Sequence, residues 1–481
     1  MNGIKFAGID LGTSFIKGSI LDEDGTHLVT IRTKAPSILT PSPGWTEIDP
    51  FEYYFVFRRF LRKLLKNIKG NKIYVGFSAM APIFIPVDNE CYPLYHGILY
   101  NDVRAKKEIE ELTEKAGDLV LSENGNPINN QQWLPKILWF KKNYPNLYDK
   151  TWKFLELTSF ILCKLTKKVV TDKTMLQEEG LLNYKKREIS NKILEALNID
   201  KEKIPEPLEL EEVADTFTID DKEFIINAGT IDFIGSSVSL NMLDAKKLAI
   251  ILGSTGVISY STSEPKIDKR LYLDLSPIPN LYYVNGATAA AGIFVDFVMK
   301  IVGMKGKYKK VDKMLSENRI DTEGLVMLPY ILGERTPIFD PNAKSVIFGV
   351  TNTHDKLSFV KASIEAVAFS IKHHYEILQE LGYVSENIYL TGGLSNMKIV
   401  QKILPSTLNS PMIKIEEGEE TIGDSMIAMV ASKYYSWNDI KKLNEKTFYG
   451  SSLMPESITY LTKNYIIYKE LYKKLRELFV L

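Results

Sequence analysis

The sequence predicts an α/β protein of two similar domains, divided into 1–242 and 243–481. Two stretches carry that prediction. The first runs Lys5-Phe-Ala-Gly-Ile-Asp-Leu-Gly-Thr-Ser-Phe-Ile-Lys17. It is an apolar run into Gly12-Thr13-Ser14, followed at once by a second apolar run, Phe15 to Leu21, which closes on Asp22-Glu23-Asp24-Gly25. Such a pattern is a β-hairpin with a small polar tip, not a strand entering a helix. The second stretch is Lys247-Leu-Ala-Ile-Ile-Leu-Gly-Ser-Thr-Gly-Val-Ile-Ser-Tyr260. It repeats the design almost halfway along the chain, and a repeat at that distance implies two similar domains facing each other.

The tips have the chemistry of anion binding. Gly12 lets the backbone approach a phosphate, and turn amides form a nest for it. The hydroxyls of Thr13 and Ser14 add donors, and Lys17 adds positive charge. Asp10 stands at the strand end, where a carboxylate can hold a hydrated Mg²⁺; the rival reading is an ordinary hairpin whose aspartate caps a turn. In the second copy, Gly253-Ser254-Thr255-Gly256 keeps the turn while an apolar residue replaces the aspartate. A metal carboxylate is needed once, a phosphate turn twice. Two such turns, one per domain, imply a nucleotide in a cleft between them. The arrangement resembles the actin, hexokinase and heat-shock ATPase superfamily, with its ribonuclease H-like domains.

Composition excludes several classes. At 481 residues the chain has room for two or three full cores. Apolar residues make up 45% and charged residues 25%, the values of an ordinary globular protein. Lys plus Arg and Asp plus Glu balance at 60 each, so no global charge argues for nucleic acid or membrane. The cysteines Cys91 and Cys163 are expected to form no disulfide framework, which points to a reducing cytoplasm. The chain opens directly on a strand, and no apolar run is long enough to span a bilayer.

The remaining elements are read in order. Asp49-Pro50 opens a helix expected to reach about Ile68, as an N-cap followed by a first-turn proline. A buried strand covers Ile73 to Phe77, and Ile83 to Val87 gives a short apolar pair. Gly97 to Asn101 leads to Asp102 and Arg104, placed for ligand contact or else forming a surface ion pair, before a helix from Ala105 to about Ala116. Helices are expected over Gln131–Asn143, Lys150–Leu165 and Asn191–Leu197. Phe224 to Ile231 is a strand that ends on Asp232 before a small-residue helix; Asp232 is a mounted catalytic carboxylate or a plain N-cap. A Gly/Ala-rich run, Val284 to Gly292, leads into another helix. His373 and His374 are neighbours on the long helix Leu357–Leu381, diverge by about 100°, and cannot chelate one metal. Asn387 to Leu390 is a strand entering Thr391-Gly392-Gly393, and Glu417 to Ala431 sets a loop before a small-residue helix.

These motifs, in this order and over nearly the whole length, resemble the FGGY carbohydrate kinases. Gly8-Ile-Asp-Leu-Gly-Thr-Ser14 and Gly253-Ser-Thr-Gly256 resemble the family's two phosphate motifs. Gly44-Trp-Thr-Glu-Ile-Asp-Pro50, Asn101-Asp-Val-Arg-Ala105 and Leu328-Pro-Tyr-Ile-Leu-Gly-Glu-Arg-Thr-Pro337 resemble its signatures. Gly229-Thr-Ile-Asp232 resembles the loop of its catalytic aspartate, and Gly392-Gly393 to Gln401 its adenosine motif. Two departures bear on substrate. Pro82 stands where ketopentose kinases of the xylulose type carry a sugar-contacting histidine, and the Arg-Glu-Thr set of glycerol kinases is missing. Ser345 replaces a glycine usual after Asp340-Pro-Asn-Ala-Lys344.

The resemblance implies transfer of the ATP γ-phosphate to a hydroxyl of a small sugar, a ketopentose such as xylulose, or alternatively glycerol, gluconate or ribulose. Asp232 is then the general base and Asp10 holds Mg²⁺. Thr13, Ser14, Lys17, Gly253, Ser254 and Thr255 grip phosphates, and Gly292, Asp296, Gly393 and Asn396 line the nucleoside pocket. Met80, Asp102, Arg104 and Asp232 face the sugar in the N-terminal domain, and domain closure excludes water. Nucleic acid and membrane partners are not expected, and a homodimer is left open. The rivals are a non-sugar actin-like ATPase and a sugar-responsive regulator.

Overall fold

Both predicted hairpins form, and each begins a sheet. The structure is a computed structural model; it describes residues 3–66, 68, 70–318, 320–385, 387–415, 420–447 and 450–480. The expected loop from Glu417 lies outside the described residues. The chain divides into two units, one of Met1–Leu243, Leu273–Tyr282 and Glu419–Thr447, the other of Asp244–Tyr272, Tyr283–Gly418 and Phe448–Leu481.

In the first unit β1 (Ile4–Leu11) and β2 (Phe15–Leu21) are antiparallel, with Asp10 opposite Lys17 and Leu11 opposite Ile16. The Gly12 amide donates to the Phe15 carbonyl at 3.1 Å and closes the tip. β3 (His27–Lys34) extends the hairpin at the edge, and its alternating exposure fits a strand with one face in water. On the other side β4 (Lys72–Ala79) runs parallel to β1, with Ser78 opposite Asp10. With β5 (Val213–Ile219) and β6 (Lys222–Asn227) the order is β5-β6-β4-β1-β2-β3. Helix α1 (Pro50–Leu65) starts as expected, Asp49 accepting from the Phe51 and Glu52 amides, and buries Tyr53, Phe57, Phe60 and Leu61 in the core. α2 (Leu157–Thr166) lies in the same core, and α3 (Asp232–Ser239) follows the small-residue loop.

The second unit repeats the hairpin and the order of the four strands around it. β7 (Leu248–Leu252) and β8 (Gly256–Thr262) form the antiparallel hairpin, and β9 (Tyr282–Thr288) lies beyond β8. Helices α4 (Gly292–Ile301), α5 (Tyr308–Glu317) and α6 (Lys356–Glu380) follow, the last with a capping box at Asp355 and Ser358. β10 (Ile388–Thr391) is parallel to β7. After α7 (Lys398–Leu408), β11 (Met412–Ile415) pairs parallel with β10 and β12 (Gly450–Leu453) antiparallel with β11. The order β9-β8-β7-β10-β11-β12 matches the first unit's β3-β2-β1-β4 over four strands; the two beyond come in the opposite chain order, and Tyr272–Leu275 pairs outside β9.

The structure corrects three expectations. The division at 242 falls beside the break after Leu243, but residues 273–282 and 419–447 join the first unit rather than the second. Residues 273–282 are held by the Leu273 and Leu275 amides, which donate to Asn126 Oδ1 and Gln177 Oε1; residues 419–447 join through the helix Glu420–Ala431, which lies on β1 and β4 at backbone contact. A Cβ on Gly8 would collide with the Thr421 carbonyl and the Ser425 amide, and one on Gly76 with the Asp424 carbonyl. Gly8 and Gly76 are register partners, so together they open a smooth track for the helix. Lys150–Leu165 is not one helix: Lys153–Leu155 is a strand paired with Ile85–Val87, because Phe154 and Leu155 fill the core there, and α2 begins only at Leu157. The helix expected from Ala105 to Ala116 runs Lys106–Asn124, with non-helical backbone angles at Ala116.

Cys91 and Cys163 are also corrected. Both are buried, and they are joined as a disulfide that ties the turn after Ile85–Val87 to α2. They stand 72 residues apart, and only the packing of α2 brings them together. No helix among the described residues is long and apolar enough to cross a membrane.

The close approach at Gly8 makes a direct prediction. Gly8→Ala should cost about 2–3 kcal/mol, because the added methyl meets backbone that cannot move aside. Denaturant unfolding followed by tryptophan fluorescence should show an earlier first-unit transition.

Candidate active site

The first unit gathers acids around the tip of β1. Asp10 is buried, and burial, then Glu420 and Asp232, push its carboxyl well above the usual range, while Lys17 pulls the other way. One of its oxygens, Oδ1, has no hydrogen-bond partner. Lys17 meets Glu420 at 3.3 Å. Asp424, one turn further along the same helix and fully buried, accepts from the Ser78 hydroxyl at 2.7 Å. Burial, and then the charges of Asp10, Glu420 and Asp232, raise Asp424 as well, against the Ser78 hydrogen bond. Glu420 and Asp424 escaped the sequence reading. Their spacing of four residues puts both on one helix face, but nothing local shows that this face meets β1.

Asp232 is the first residue of α3, not its N-cap; that place is Ile231, which makes no side-chain cap. Its Oδ1 accepts from the Phe233 amide at 2.7 Å, and the side chain is partly exposed. Thr13 and Ser14 are exposed at the hairpin tip.

Asp102, Arg104 and Met80 are placed differently from the expectation. Met80 packs into the core. The Arg104 side chain is fully buried against Trp45 and Trp139, its guanidinium carbon 4.0 and 5.1 Å from the ring centroids of two indoles that meet edge to face. It holds Asp102 by two hydrogen bonds, Nε to Oδ1 at 2.8 Å and Nη2 to Oδ2 at 2.7 Å, and reaches Glu47 at 2.7 Å. Asp102 also accepts from the backbone amides of Thr46 and Arg104. These two residues form neither a ligand-facing pair nor a surface ion pair. They are a clamp joining Gly44–Pro50 to the 101–105 segment, and their polar groups are spent inside the protein.

In the second unit six expected residues line one cavity of about 490 Å³: Gly253, Ser254, Gly292, Asp296, Gly393 and Asn396. Three hydrogen bonds dock α4 on the β7–β8 tip, from Gly292 N to Gly253 O at 3.0 Å and from Ala291 N and Ile293 N to Ser254 O at 2.9 and 3.2 Å. A Cβ on Gly292 would lie 2.6 Å from the Gly253 carbonyl, so only glycine closes this contact. Thr255 completes the tip, its carbonyl accepting from the Gly253 amide at 2.9 Å. Tyr308 and Asp312 also face the cavity and were not foreseen. Burial, then a hydrogen bond with Asp296, holds the Tyr308 phenol protonated. Asp312 caps α7 from outside by accepting from the Lys398 and Ile399 amides, both at 3.0 Å.

His374 is fully buried. Its Nδ1 faces the Ser370 carbonyl at 2.8 Å and its Nε2 the Thr336 hydroxyl at 2.9 Å, while burial lowers its pKa to about 4. A neutral ring that donates from Nδ1 and accepts at Nε2 satisfies both.

A duplicated sheet, two small polar hairpin tips, a buried acid at the end of one strand and a glycine-lined cavity define a two-domain protein of the actin/hexokinase-like class. The model for the N-terminal domain of the FGGY family of carbohydrate kinases matches residues 6–236, and that for its C-terminal domain matches residues 248–432. The chain belongs to the FGGY family of carbohydrate kinases and is a sugar kinase that uses ATP. It is 28% identical to the xylulose kinase of Lactococcus lactis subsp. lactis over 98% of this chain and 97% of that protein. Its fold is similar to that of a gluconate kinase from Lactobacillus acidophilus, with TM-score 0.88, 23% identity and 98% of both chains covered. It is similar as well to Plasmodium falciparum glycerol kinase with ADP, with TM-score 0.84, 18% identity, and 100% and 99% covered.

The buried clamp predicts that Arg104→Lys is not conservative. Lysine cannot make the forked contact with Asp102 or lay a planar group over the Trp45 indole. The expected loss is about 3 kcal/mol of first-unit stability, measured by denaturant titration, with ADP affinity of the folded variant unchanged.

Proposed function

We propose that the chain phosphorylates a hydroxyl of a small sugar, with a ketopentose of the xylulose type as the first acceptor to test. The observation that carries the reading is Asp232, a partly exposed carboxylate at the start of α3 in the unit that also buries Asp10. Its burden is small: to accept the proton of the attacking hydroxyl, within hydrogen-bond reach, while phosphoryl transfer itself asks for positioning and charge neutralisation. Thr13, Ser14 and Lys17 on one tip, and Gly253, Ser254 and Thr255 on the other, are assigned to the phosphates. The cavity edged by Gly292, Asp296, Gly393 and Asn396 is assigned to the nucleoside. An ATP-dependent sugar kinase fits a cytoplasmic location.

Mg²⁺ is part of the proposal. The unpartnered, buried Oδ1 of Asp10 fits a hydrated cation. Among the described residues no group of three metal-ligating side chains stands together, so nucleotide phosphates and water would complete the shell. Such an ion supplies charge neutralisation on the transferred phosphoryl group. Lys17 and Glu420, paired with each other, balance the charge beside Asp10.

The choice of acceptor rests on the relatives. Xylulose kinase is the name of the 28% identical protein, whereas Pro82, in place of the histidine that ketopentose kinases of the xylulose type often carry, sets this chain apart from that type. Selectivity is therefore expected to differ from that of the xylulose kinases.

A coupled assay of ADP release over ketopentoses, polyols and aldonates tests the assignment; release that no carbohydrate stimulates would overturn it. Asp232→Asn should keep ADP affinity within about twofold while sugar phosphorylation falls by about 10²- to 10⁴-fold. Near-normal turnover in that variant would remove Asp232 as the base.

A further inference from the structure

We propose that Glu334 is a positioning residue for the nucleotide: it holds Ala287–Ala289 in the one path that lets α4 dock on the Gly253–Ser254 tip. This rests on the reading of the adjoining cavity as the nucleoside site. Glu334 is buried, and its carboxylate is fully engaged. Oε1 accepts from the Ala289 amide at 2.6 Å and from its neighbour Arg335's amide at 2.8 Å. Oε2 accepts from the Thr288 hydroxyl at 2.8 Å. Two residues on, Thr336 grips the same segment: its hydroxyl oxygen accepts from the Ala287 amide at 2.6 Å. His374 backs that hydroxyl from α6, and Arg335 Nη2 donates to the Thr288 carbonyl at 3.0 Å.

The segment so held leads straight into the docking contacts. Ala290 and Ala291 are buried, and Ala291, Gly292 and Ile293 give their amides to the carbonyls of Ser254, Gly253 and Ser254. The Cβ-free approach at Gly292 leaves no slack for the segment to drift. The 334–336 loop thus acts on the cavity wall through two residues of backbone, without lining the cavity itself. Glu334 and Thr336 supply acceptors to amides that β9 leaves unpaired as it turns into α4. Because burial lifts the Glu334 carboxyl to about 7, both its forms occur near neutral pH. Oε1 remains an acceptor in either form, so the clamp works through hydrogen bonding rather than charge.

The test compares Glu334→Ala with Glu334→Gln in the full chain. ADP affinity is read by calorimetry, and KM for ATP and for the best acceptor of the screen by steady-state kinetics. Glu334→Ala removes the acceptor of the Ala289 and Arg335 amides and should weaken ADP binding about tenfold or more. KM for ATP should rise with it, while kcat at saturating ATP and KM for the acceptor stay within about twofold. Glu334→Gln keeps Oε1, and the Thr288 hydroxyl can turn to accept from the new amide. It should restore ADP affinity to within about threefold of the unaltered protein, at pH 6 and pH 8 alike. ADP affinity unchanged in folded Glu334→Ala, or a glutamine variant as weak as the alanine one, overturns the proposal. Should Glu334→Ala fail to fold, Thr336→Val decides: weaker ADP binding with unchanged acceptor KM supports the clamp, and unchanged binding overturns it. Failure of the unaltered protein to bind ADP would instead overturn the nucleoside reading on which the proposal stands.

Discussion

Backbone contact between a helix and a sheet is the constraint on which the first unit depends. Gly8 and Gly76 face each other across β1 and β4, and the helix Glu420–Ala431 settles into the space their missing side chains leave. That contact closes the core. It also carries two acids, Glu420 and Asp424, to the end of the sheet where Asp10 already sits. A helix held one side chain further away would leave Ser78 without its carboxylate partner and Lys17 without its ion pair.

Buried charge is used in two opposite ways. Around Arg104 it is neutralised: the guanidinium lies over the Trp45 indole and is answered by Asp102 and Glu47, so its burial is compensated by contacts that fix the geometry of two distant motifs. Around Asp10 it is left incomplete. Burial and like-charged neighbours disfavour its anion, and one oxygen has no partner. Incomplete compensation of this kind is costly in a structural region and useful where a cation is to be bound. The first arrangement is scaffold; the second is the carboxylate to which the proposed function assigns a cation.

The second unit reaches its site by a different route. Its tip carries no aspartate, and its cavity is shaped by backbone: Gly292 against Gly253, the Gly393 turn after β10, and the cap that Asp312 places on α7. The anchoring of this wall lies one layer back, in Glu334, Thr336 and His374, all buried. The two units share the hairpin and its neighbouring strands but differ in what shapes the tip region, side-chain acids in one and backbone in the other.

The duplicated fold, both hairpin tips, Asp10, Asp232 and the six cavity residues were legible in the amino-acid sequence because each depends on local pattern: apolar runs with glycine and hydroxyl residues at the break, or motifs a few residues long. What the sequence could not show is which distant groups meet. The Asp102–Arg104 pair was read as facing a ligand, since spacing alone does not reveal Trp45, Trp139 and Glu47 closing over it. The disulfide, the passage of residues 420–431 into the first unit, and the strand at Lys153–Leu155 were missed for the same reason. Local backbone preference and periodicity are written in neighbours along the chain, whereas burial and pairing are decided by partners hundreds of residues away, and those become neighbours only when the core packs.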